Sequence, residues 1–399
     1  MDSFSTHLEG SIGPDPPLSY RLQSSNLTGP RHEPSISHLA SLIPATTPVR
    51  KMEKKREIQA EYGQPAARKE YQSPYDQASS YVQECRAWRK GKGTLYRPLE
   101  DYERALVVKM PAADWSKLSS ELEWGETDEI YPRLSYNSST SELTVQCMPS
   151  PLHQSISNVI NEEFIAAKGS LPRDLRSRTK LSWGVEQNNF RGRWHDSNKQ
   201  PDMAIEVCDA NGTPKMKWVL ETRFSETYER LVDDARLWLE GASEVAMVVL
   251  VKFKETPRYR CPVDLSDDSG NKLEELGIPS DRGDVVYEDV CLEEPLGPAT
   301  YRGLTWVGQI TEVFLEIWAR DSDGKAVQHG TRQDLLRTAQ MHIPFDNLFP
   351  HGYFTAITID SEIFRSELSV EIKKMAGFRC RELVRNYNKK WGVGWEPSD

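Results

Sequence analysis

The sequence predicts an α/β fold in three layers, with helices on both sides of a central mixed sheet. An amphipathic helix, two strands and a second amphipathic helix follow one another between about residues 151 and 240. The apolar run Val245 to Val251 comes next, and its length and β-branched residues are typical of a buried central strand. Helices and strands in this order are expected to pack as helix layers on a shared sheet.

The composition is that of a soluble, intracellular protein. The longest apolar run of the 399 residues is far shorter than the roughly 20 residues that span a bilayer, so we expect no membrane contact. The six cysteines form no close pairs, which argues against a zinc knuckle and against a dense disulfide framework. We therefore expect the protein in the cytoplasm or the nucleus.

The formal net charge of −10 limits how the protein can bind nucleic acids. Contacts to phosphates need clustered Lys and Arg, so the whole surface is not expected to bind nucleic acid. A site for DNA or RNA would have to be local.

Composition divides the chain into three regions. Residues 1–75 are rich in Ser, Pro and polar residues, which predicts a disordered arm. Its segment KMEKKR weakly resembles a nuclear import signal, although a solvated charged helix is the simpler explanation. Residues 76–260 are predicted to form the core with its N-terminal helices, and residues 261–399 an α+β extension with a basic tail.

A hairpin and a helix open the predicted core. Apolar and polar residues alternate on both sides of the Asn/Ser turn at 137–140, which predicts strands over 133–136 and 143–147. A helix from about Pro151 to Ala167 follows, and Glu163 falls in the middle of its apolar stripe. Burial of a lone carboxylate is costly unless it is paired or binds a metal. The alternative is a half-buried stripe that leaves Glu163 at its wet edge.

Two acidic residues lie on what we predict to be neighbouring strands. Asp202 lies at the start of PDMAIEV, and Glu221 lies near the end of WVLETR. Divalent hard cations commonly take one or two carboxylates from a protein and fill their other positions with water and phosphate. Asp202 and Glu221 are therefore predicted ligands of Mg²⁺ or Mn²⁺. Arg223 projects to the same strand face as Glu221, because strand side chains alternate.

A second helix is predicted from Glu226 to Glu240, with Ser225 as its N-cap and Gly241 as its stop. After residue 262, the patterns predict strand pairs over Leu304 to Arg320, a strand over Tyr353 to Ile359 and a helix over Glu362 to Met375.

A basic stretch with interleaved aromatic residues ends the chain and includes Lys389 and Lys390. Cationic and aromatic side chains together hold phosphates and stack on bases, so this stretch is a candidate nucleic-acid contact. The alternative is a solvated helix face with a packed aromatic end.

The order of these segments resembles a known family. MPSPLHQSISNVINEEF, PDMAIEV, VLETRFSETYERLVDDARLWLEGASEV and AMVVLVK follow the order seen in Uma-type restriction-endonuclease-like proteins of prokaryotes. The chain also resembles a group of fungal proteins with the same pattern. The similarity covers about residues 130 to 255 and implies a PD-(D/E)XK restriction-endonuclease-like fold. It also implies metal binding by Asp202 and Glu221, with Glu163 as a further acid from the first helix.

The chain departs from the wider PD-(D/E)XK superset at the expected lysine, which Uma-type sequences themselves also lack at this place. Arg223 stands two residues after Glu221, and an arginine stays protonated and cannot act as a general base, although it can stabilise charge on a phosphate. Uma-type sequences often carry a lysine in the following helix, where Arg236 is the better candidate for a relocated cation and Arg230 points away.

Three other residues near these segments are weaker candidates. His195 and Arg193 lie on a polar loop before Asp202, where they are candidates for nucleic-acid contact or plain loop residues. His153, at the start of the first helix, is a candidate for catalysis or for a structural hydrogen bond.

Two functions remain open from the sequence. The first is a metal-dependent nuclease of the PD-(D/E)XK class that cleaves DNA or RNA, with catalytic roles for Arg223, Glu163 and Arg236. The second is a nuclease-derived binding or scaffold protein without this chemistry, favoured by the missing lysine, the acidic balance and the long arm. The oligomeric state is also open, and a homodimer is one option.

Overall fold

The computed structural model describes residues 73–90, 99, 103–122, 132–148, 150–224, 226–264, 271–345, 348–349, 353 and 356–391. All but the last three residues of the predicted arm lie outside this set, as does the predicted N-cap Ser225. Of Lys389 and Lys390 only the helical backbone is described.

Fourteen strands and seven α-helices are found in these residues. The strands are β1 Leu106–Lys109, β2 Arg133–Asn137, β3 Glu142–Gln146, β4 Thr179–Ser182, β5 Met203–Cys208, β6 Pro214–Arg223, β7 Met247–Thr256, β8 Cys291–Leu292, β9 Ala299–Tyr301, β10 Leu304–Val307, β11 Gln309–Arg320, β12 Ala326–Asp334, β13 Gln340–Pro344 and β14 Ala356–Asp360. The helices are α1 Pro74–Arg89, α2 Ala112–Glu121, α3 Pro151–Lys168, α4 Arg173–Arg178, α5 Tyr228–Arg236, α6 Lys272–Glu275 and α7 Ser361–Trp391.

A mixed sheet of six strands forms the centre of the molecule, which confirms the predicted α/β class. Its spatial order is β12, β11, β7, β6, β5, β4. The neighbours β6 and β7 are parallel, whereas the other four pairs are antiparallel. The two predicted acidic strands, β5 and β6, are direct neighbours in this sheet.

Alternate residues of the central strands pack into two different apolar layers. Trp218 and Leu220 of β6 belong to the large core that includes side chains of α3 and α7. Val219 of β6 and Leu250 of β7 belong to a second cluster with side chains of α5. Because strand side chains alternate, these layers lie on opposite faces of the sheet.

The predicted hairpin is confirmed, and it lies outside the central sheet. Strands β2 and β3 pair in register from Arg133 with Gln146 to Asn137 with Glu142. Strand β1 adds to the other side of β3 and completes a separate three-stranded sheet. The hairpin still reaches the acidic strands, because Tyr136 exchanges backbone hydrogen bonds with Asn198 in the loop before β5.

The helix predicted over Glu226 to Glu240 is shorter and changes type at its end. It begins at Tyr228 after the N-cap Thr227, whose backbone is extended. After Arg236 the chain continues as a π-helical turn over Leu237–Gly241. The ion pair of Glu226 with Arg223, 3.2 Å long, holds the residue predicted to start the helix in the connection from β6.

The strand predicted over Val245 to Val251 extends to Thr256, because β11 pairs with β7 as far as the register Gln309 with Thr256. The segment Leu304 to Arg320, predicted to form strand pairs, holds the strands β10 and β11, which lie in different sheets. Strand β10 pairs with β9, and β11 pairs with β7 and β12. The last strand, predicted over Tyr353 to Ile359, is β14.

The residues on both sides of position 260 share the central sheet, since β11 and β12 complete it beyond β7. Residues Lys69–Asp399 form one compact unit. The last helix, predicted over Glu362 to Met375, runs on to Trp391, and it packs against α3. Within the described ranges, no helix is long and apolar enough to cross a membrane.

Candidate functional site

Asp202 stands immediately before β5, where the backbone of β6 and two guanidinium groups hold its carboxylate. Its N–H donates to Leu220 O at 3.1 Å, and its Oδ2 accepts the backbone N–H of Thr222 at 2.6 Å. Arg133 Nη1 lies 2.5 Å from Oδ1, and Arg223 Nη1 lies 3.7 Å from Oδ2. Burial alone would raise the pKa of Asp202, but the two guanidinium groups hold this pKa well below its usual value. Asp202 is therefore ionised at neutral pH.

Glu221 is fully buried on β6, and its two carboxylate oxygens face different partners. Oε1 accepts the indole N–H of Trp238 at 2.6 Å and lies 3.5 Å from Lys199 Nζ. Among the described residues, Oε2 accepts no hydrogen bond, and it lies 3.1 Å from Arg223 Nη2. Burial raises the pKa of Glu221 to about 7, because the attraction of Lys199 and Arg223 offsets only part of the desolvation. Glu221 thus changes its protonation state near neutral pH.

Lys199 is a member of this site that the sequence reasoning missed. Its side chain is 2% exposed, and its Nζ contacts Asp234 Oδ1 at 2.7 Å. A short bridge between the backbones of Lys199 and Gln187 holds the loop in which it lies. The signal in the sequence was its position three residues before Asp202. A loop lysine is ordinarily solvent-exposed, so that spacing alone did not predict burial.

Arg223 connects the other members of the site. As predicted from strand alternation, it lies on the same side of β6 as Glu221 and contacts both predicted acids. Its Nε lies 3.2 Å from Glu226 Oε2, and its Nη2 lies 2.7 Å from Asp234 Oδ2. One guanidinium group therefore contacts four carboxylates.

We call this group of seven buried or nearly buried side chains the charge cluster. Its four carboxylates face three cations, which leaves one negative charge in excess when every group is ionised. Protonation of Glu221 removes this excess and agrees with its raised pKa. None of the seven side chains is more than 17% exposed. The members are Arg133, Lys199, Asp202, Glu221, Arg223, Glu226 and Asp234.

This arrangement of side chains does not fit a divalent cation. The guanidinium group of Arg223 already lies between Asp202 and Glu221, the two acids at which Mg²⁺ or Mn²⁺ was predicted. Such ions also need open positions for water or phosphate, and Glu221 is fully buried. Among the described residues, no group of three or more His, Cys, Asp or Glu side chains is placed to hold a metal ion.

His153 lies in the first turn of α3, close enough to Asp202 for their charges to interact. Burial lowers the pKa of His153 to about 4, so its ring is neutral at pH 7. The Nε2 atom is buried and has no hydrogen-bond partner in the part of the chain that the structure describes, so the structural hydrogen bond considered from the sequence is not made there. His153, Arg223 and Glu226 also line a small cavity of about 20 Å³.

Glu163 and Arg236 do not belong to the charge cluster. Glu163 is half-buried on α3, which agrees with the wet-edge alternative, and it lies ten residues beyond His153. A helix rises 1.5 Å per residue, so Glu163 is displaced by about 15 Å along the helix axis from the end that faces Asp202. Arg236 is half-exposed, and its ion pair is with Asp233 at 2.9 Å. The residue predicted to be the better candidate for a relocated cation therefore lies on the solvent side of its helix.

The loop residues His195 and Arg193 are also outside the cluster. His195 is exposed and lies 2.9 Å from the neighbouring carboxylate of Asp196. Arg193 pairs with Glu240 at 3.2 Å and covers the ring of Trp194. The ion pairs of both side chains are thus with Asp196 and Glu240 rather than with Asp202 or Glu221. Their predicted role in nucleic-acid binding stays a prediction.

The basic stretch at the end of the chain is partly internal. Arg379 is fully buried and binds Glu103 and Glu255, and Arg385 is buried next to Trp88. These arginines are therefore unavailable to phosphates. The side chains of Lys389 and Lys390 lie outside the described residues, so their predicted contact with nucleic acid stays a prediction.

Comparisons with protein-family models, with curated proteins and with solved structures gave no match. The fold and the charge cluster define the class that the geometry supports: a mixed α/β protein with a buried ionic site at the junction of two neighbouring strands.

Proposed function

We propose that this chain is a binding or scaffold protein built on a core that resembles PD-(D/E)XK nucleases, in which the acid pair belongs to an internal ionic network and binds no metal. The observation that carries this proposal is the position of Arg223, which contacts both Asp202 and Glu221. Arg133 and Lys199 supply the remaining positive charge. The carboxylates that would bind a metal in a nuclease are thus matched by cations of the chain itself.

The energetics of buried charges support the same proposal. A metal ion could reach both acids only if Arg223 left the cluster, and its guanidinium group would lose contacts to four carboxylates. Breaking a buried ion pair by removing one partner typically costs about 3 to 5 kcal/mol, because the other charge stays buried and unmatched. A divalent cation at Asp202 and Glu221 would match those two carboxylates but not Glu226 and Asp234, which would lose the guanidinium group of Arg223. This loss opposes the exchange.

Calorimetry on the full chain tests the proposal. Titration with MnCl₂ should give no saturable heat, and plasmid DNA, single-stranded DNA and RNA should stay intact in Mg²⁺ or Mn²⁺. The control is the Asp202→Asn and Glu221→Gln double variant, with its fold checked by circular dichroism. Saturable binding of Mn²⁺ to the wild type that disappears in this variant would overturn the proposal.

Metal-dependent phosphodiester hydrolysis of DNA or RNA is the second candidate function. It is supported by the convergence of two carboxylates from neighbouring strands on one cation. Cleavage by the wild type that is lost in both Asp202→Asn and Glu221→Gln would establish it. Asp233→Asn, at an exposed ion pair on α5, is the matched control and should cleave like the wild type.

A further inference from the structure

A second feature, outside the charge cluster, is an open cleft of about 380 Å³ at the ends of β6, β7 and β11. Its walls combine aromatic rings with cationic side chains. The volume falls within the range of roughly 300 to 1,000 Å³ that is usual for small-molecule pockets. The cleft is therefore large enough for a ligand of nucleotide size.

Three aromatic residues form one part of the wall: Phe224, Tyr228 and Phe314. Tyr228 and Phe314 pack edge to face, with ring centroids 5.8 Å apart. Arg332 covers the ring of Phe314 at 3.8 Å and is itself fixed by an ion pair of 2.7 Å with Glu316. Arg332 also lies over the ring of Tyr228, at 4.9 Å. Aromatic rings and a flat guanidinium group together form this wall, and both suit the face of a planar ring.

Three cations form another part: Arg104 before β1, Lys252 on β7 and Arg258 after β7. Arg104 and Arg258 are exposed residues of the cleft lining. Burial lowers the pKa of Lys252 to about 8, and Arg258 and Arg223 lower it further against the attraction of Glu226. Burial and the nearby Arg104 also lower the pKa of Arg258. The cations repel one another, and a bound anion would relieve this repulsion.

The net charge of the residues that line the cleft indicates which class of anion fits it. Its lining carries five cations and three carboxylates, an excess of two positive charges. Arg379 and Glu316 lie behind the wall and add one charge of each sign, so the excess is unchanged. An excess of two matches a phosphate monoester, which carries close to two negative charges at neutral pH, better than a carboxylate. The charged lining residues are Arg104, Lys252, Lys254, Arg258, Arg332, Glu103, Glu255 and Glu312.

We propose that this cleft binds a phosphate monoester that carries a planar ring, a ligand of the nucleoside monophosphate kind. The ring lies against the aromatic wall of Phe224, Tyr228 and Phe314, and the phosphate lies among Arg104, Lys252 and Arg258. Arginine suits this role because its planar group binds phosphate oxygens in pairs. This proposal does not require metal binding at Asp202 and Glu221, because none of the three cations is a member of the charge cluster.

Calorimetry with adenosine 5′-monophosphate and the full chain, in the presence of EDTA, tests the proposal. EDTA separates this result from any metal site at Asp202 and Glu221. We expect saturable binding of the nucleotide, and binding at least about tenfold weaker for adenosine and for ribose 5-phosphate, each of which lacks one half of the recognised group. No saturable binding of the nucleotide overturns the proposal. Ribose 5-phosphate that binds as tightly as the nucleotide overturns it too, because the aromatic wall would then have no role.

Variants locate the bound ligand. Arg258→Gln and Arg104→Gln change exposed side chains, so the fold should be kept, and each should weaken nucleotide binding about fivefold or more. Tyr228→Leu should weaken the nucleotide and leave ribose 5-phosphate unchanged. The control is Arg337→Gln, an arginine that is 84% exposed and lies outside the cleft lining. Equal effects of Arg337→Gln and Arg258→Gln would place the binding elsewhere and overturn the proposal.

Discussion

Asp202, immediately before β5, and Glu221, on β6, are neighbouring carboxylates whose pKa values shift in opposite directions. Asp202 accepts a backbone N–H and contacts two guanidinium groups, so its charged form is stabilised. Glu221 is more deeply buried, and among the described residues one of its oxygens accepts no hydrogen bond. The difference in pKa therefore comes from the deeper burial of Glu221 and from the repulsion of Asp234 and Asp202, which together outweigh the attraction of Lys199 and Arg223.

Glu221→Gln tests this difference through the pH dependence of stability. The pKa of Glu221 is raised from 4.5 to about 7, so the folded state binds a proton more tightly than the unfolded state. Its contribution is fully present below pH 4.5 and is lost as the pH rises to about 7. We expect the wild type to lose up to about 3 kcal/mol relative to Glu221→Gln across this range, since one pKa unit corresponds to about 1.4 kcal/mol.

Urea unfolding of both proteins at several pH values between 4 and 8 measures this change, because other titrating groups cancel in the difference. Asp233→Asn, at a half-exposed ion pair, is the control and should show no such trend relative to the wild type. Parallel curves for the wild type and Glu221→Gln would show that folding leaves the pKa of Glu221 at its ordinary value of 4.5, which would contradict the shift.

The sequence predicted those members of the charge cluster that share a strand or lie on adjacent strands. Glu221 and Arg223 are two residues apart, so alternation placed them on one face, and the strand order brought Asp202 beside them. Arg133 and Lys199 enter from a separate hairpin and from a loop, and no local periodicity links them to β6. Their positions depend on tertiary packing, which neither spacing nor hydropathy describes.

At the scale of elements, the π-helical turn after α5 is the part that completes the site. A π turn bonds residue i to residue i+5 and is wider than an α-helical turn. This turn carries Trp238, whose indole N–H reaches Glu221. The loop before Trp194 packs closely on its end, since a Cβ atom on Gly241 would lie 3.0 Å from Phe190 Cδ1. Single π turns often occur at functional sites, and here the turn supplies a donor to a buried acid.

Trp238→Phe should therefore do more than remove packing. The substitution removes the donor to Glu221 Oε1, and leaving a buried acceptor unsatisfied costs about 1 to 3 kcal/mol. The loss in free energy of unfolding should be larger at pH 8 than at pH 6, because the ionised carboxylate of Glu221 depends most on this hydrogen bond. Urea unfolding at both pH values measures it.

Trp306→Phe is a matched control, because the indole of Trp306 is also buried and donates to a backbone carbonyl, that of Tyr301, at 3.2 Å. It should destabilise equally at both pH values, since no titrating group receives its hydrogen bond. A pH-independent loss for Trp238→Phe would contradict the role of this hydrogen bond.

The sequence predicted which elements exist better than where they end. The run from Val245 to Val251 identified β7, yet its last five residues, up to Thr256, are a strand because β11 pairs with them. The last helix was predicted too short, since its basic residues suggested a solvated tail. In the structure two of them, Arg379 and Arg385, are internal partners of residues far away in the sequence.

At the scale of the whole molecule, Arg379 joins distant parts of the chain. Its guanidinium group is fully buried and binds Glu103 before β1 through two contacts of 2.7 Å. It also binds Glu255 near the end of β7 at 2.8 Å and the carbonyl of Trp306 on β10 at 2.7 Å. Residues before β1, in the central sheet and in the last helix thus meet at one side chain. This meeting explains why the predicted extension is part of the same compact unit.

Arg379→Met should destabilise the whole unit by about 4 kcal/mol, because it leaves Glu103 and Glu255 buried without their cation. Thermal or urea unfolding followed by circular dichroism measures this loss. Lys373→Met, at a half-buried position on the same helix, is the control and should change stability by less than about 0.5 kcal/mol. A loss below about 1 kcal/mol for Arg379→Met would show that the three regions are held together by apolar packing alone.

The charge cluster also specifies how β6 aligns with its neighbours. Glu221 and Arg223 lie on one side of the strand, and the alternate residues Trp218 and Leu220 lie in the large apolar core on the other. A slip of one residue would turn every side chain of β6 to the opposite face. Two charges would then enter the apolar core without their partners, at a cost of several kcal/mol. The charge cluster thus makes a misaligned sheet far less stable than the correct one, and it favours the correct strand register.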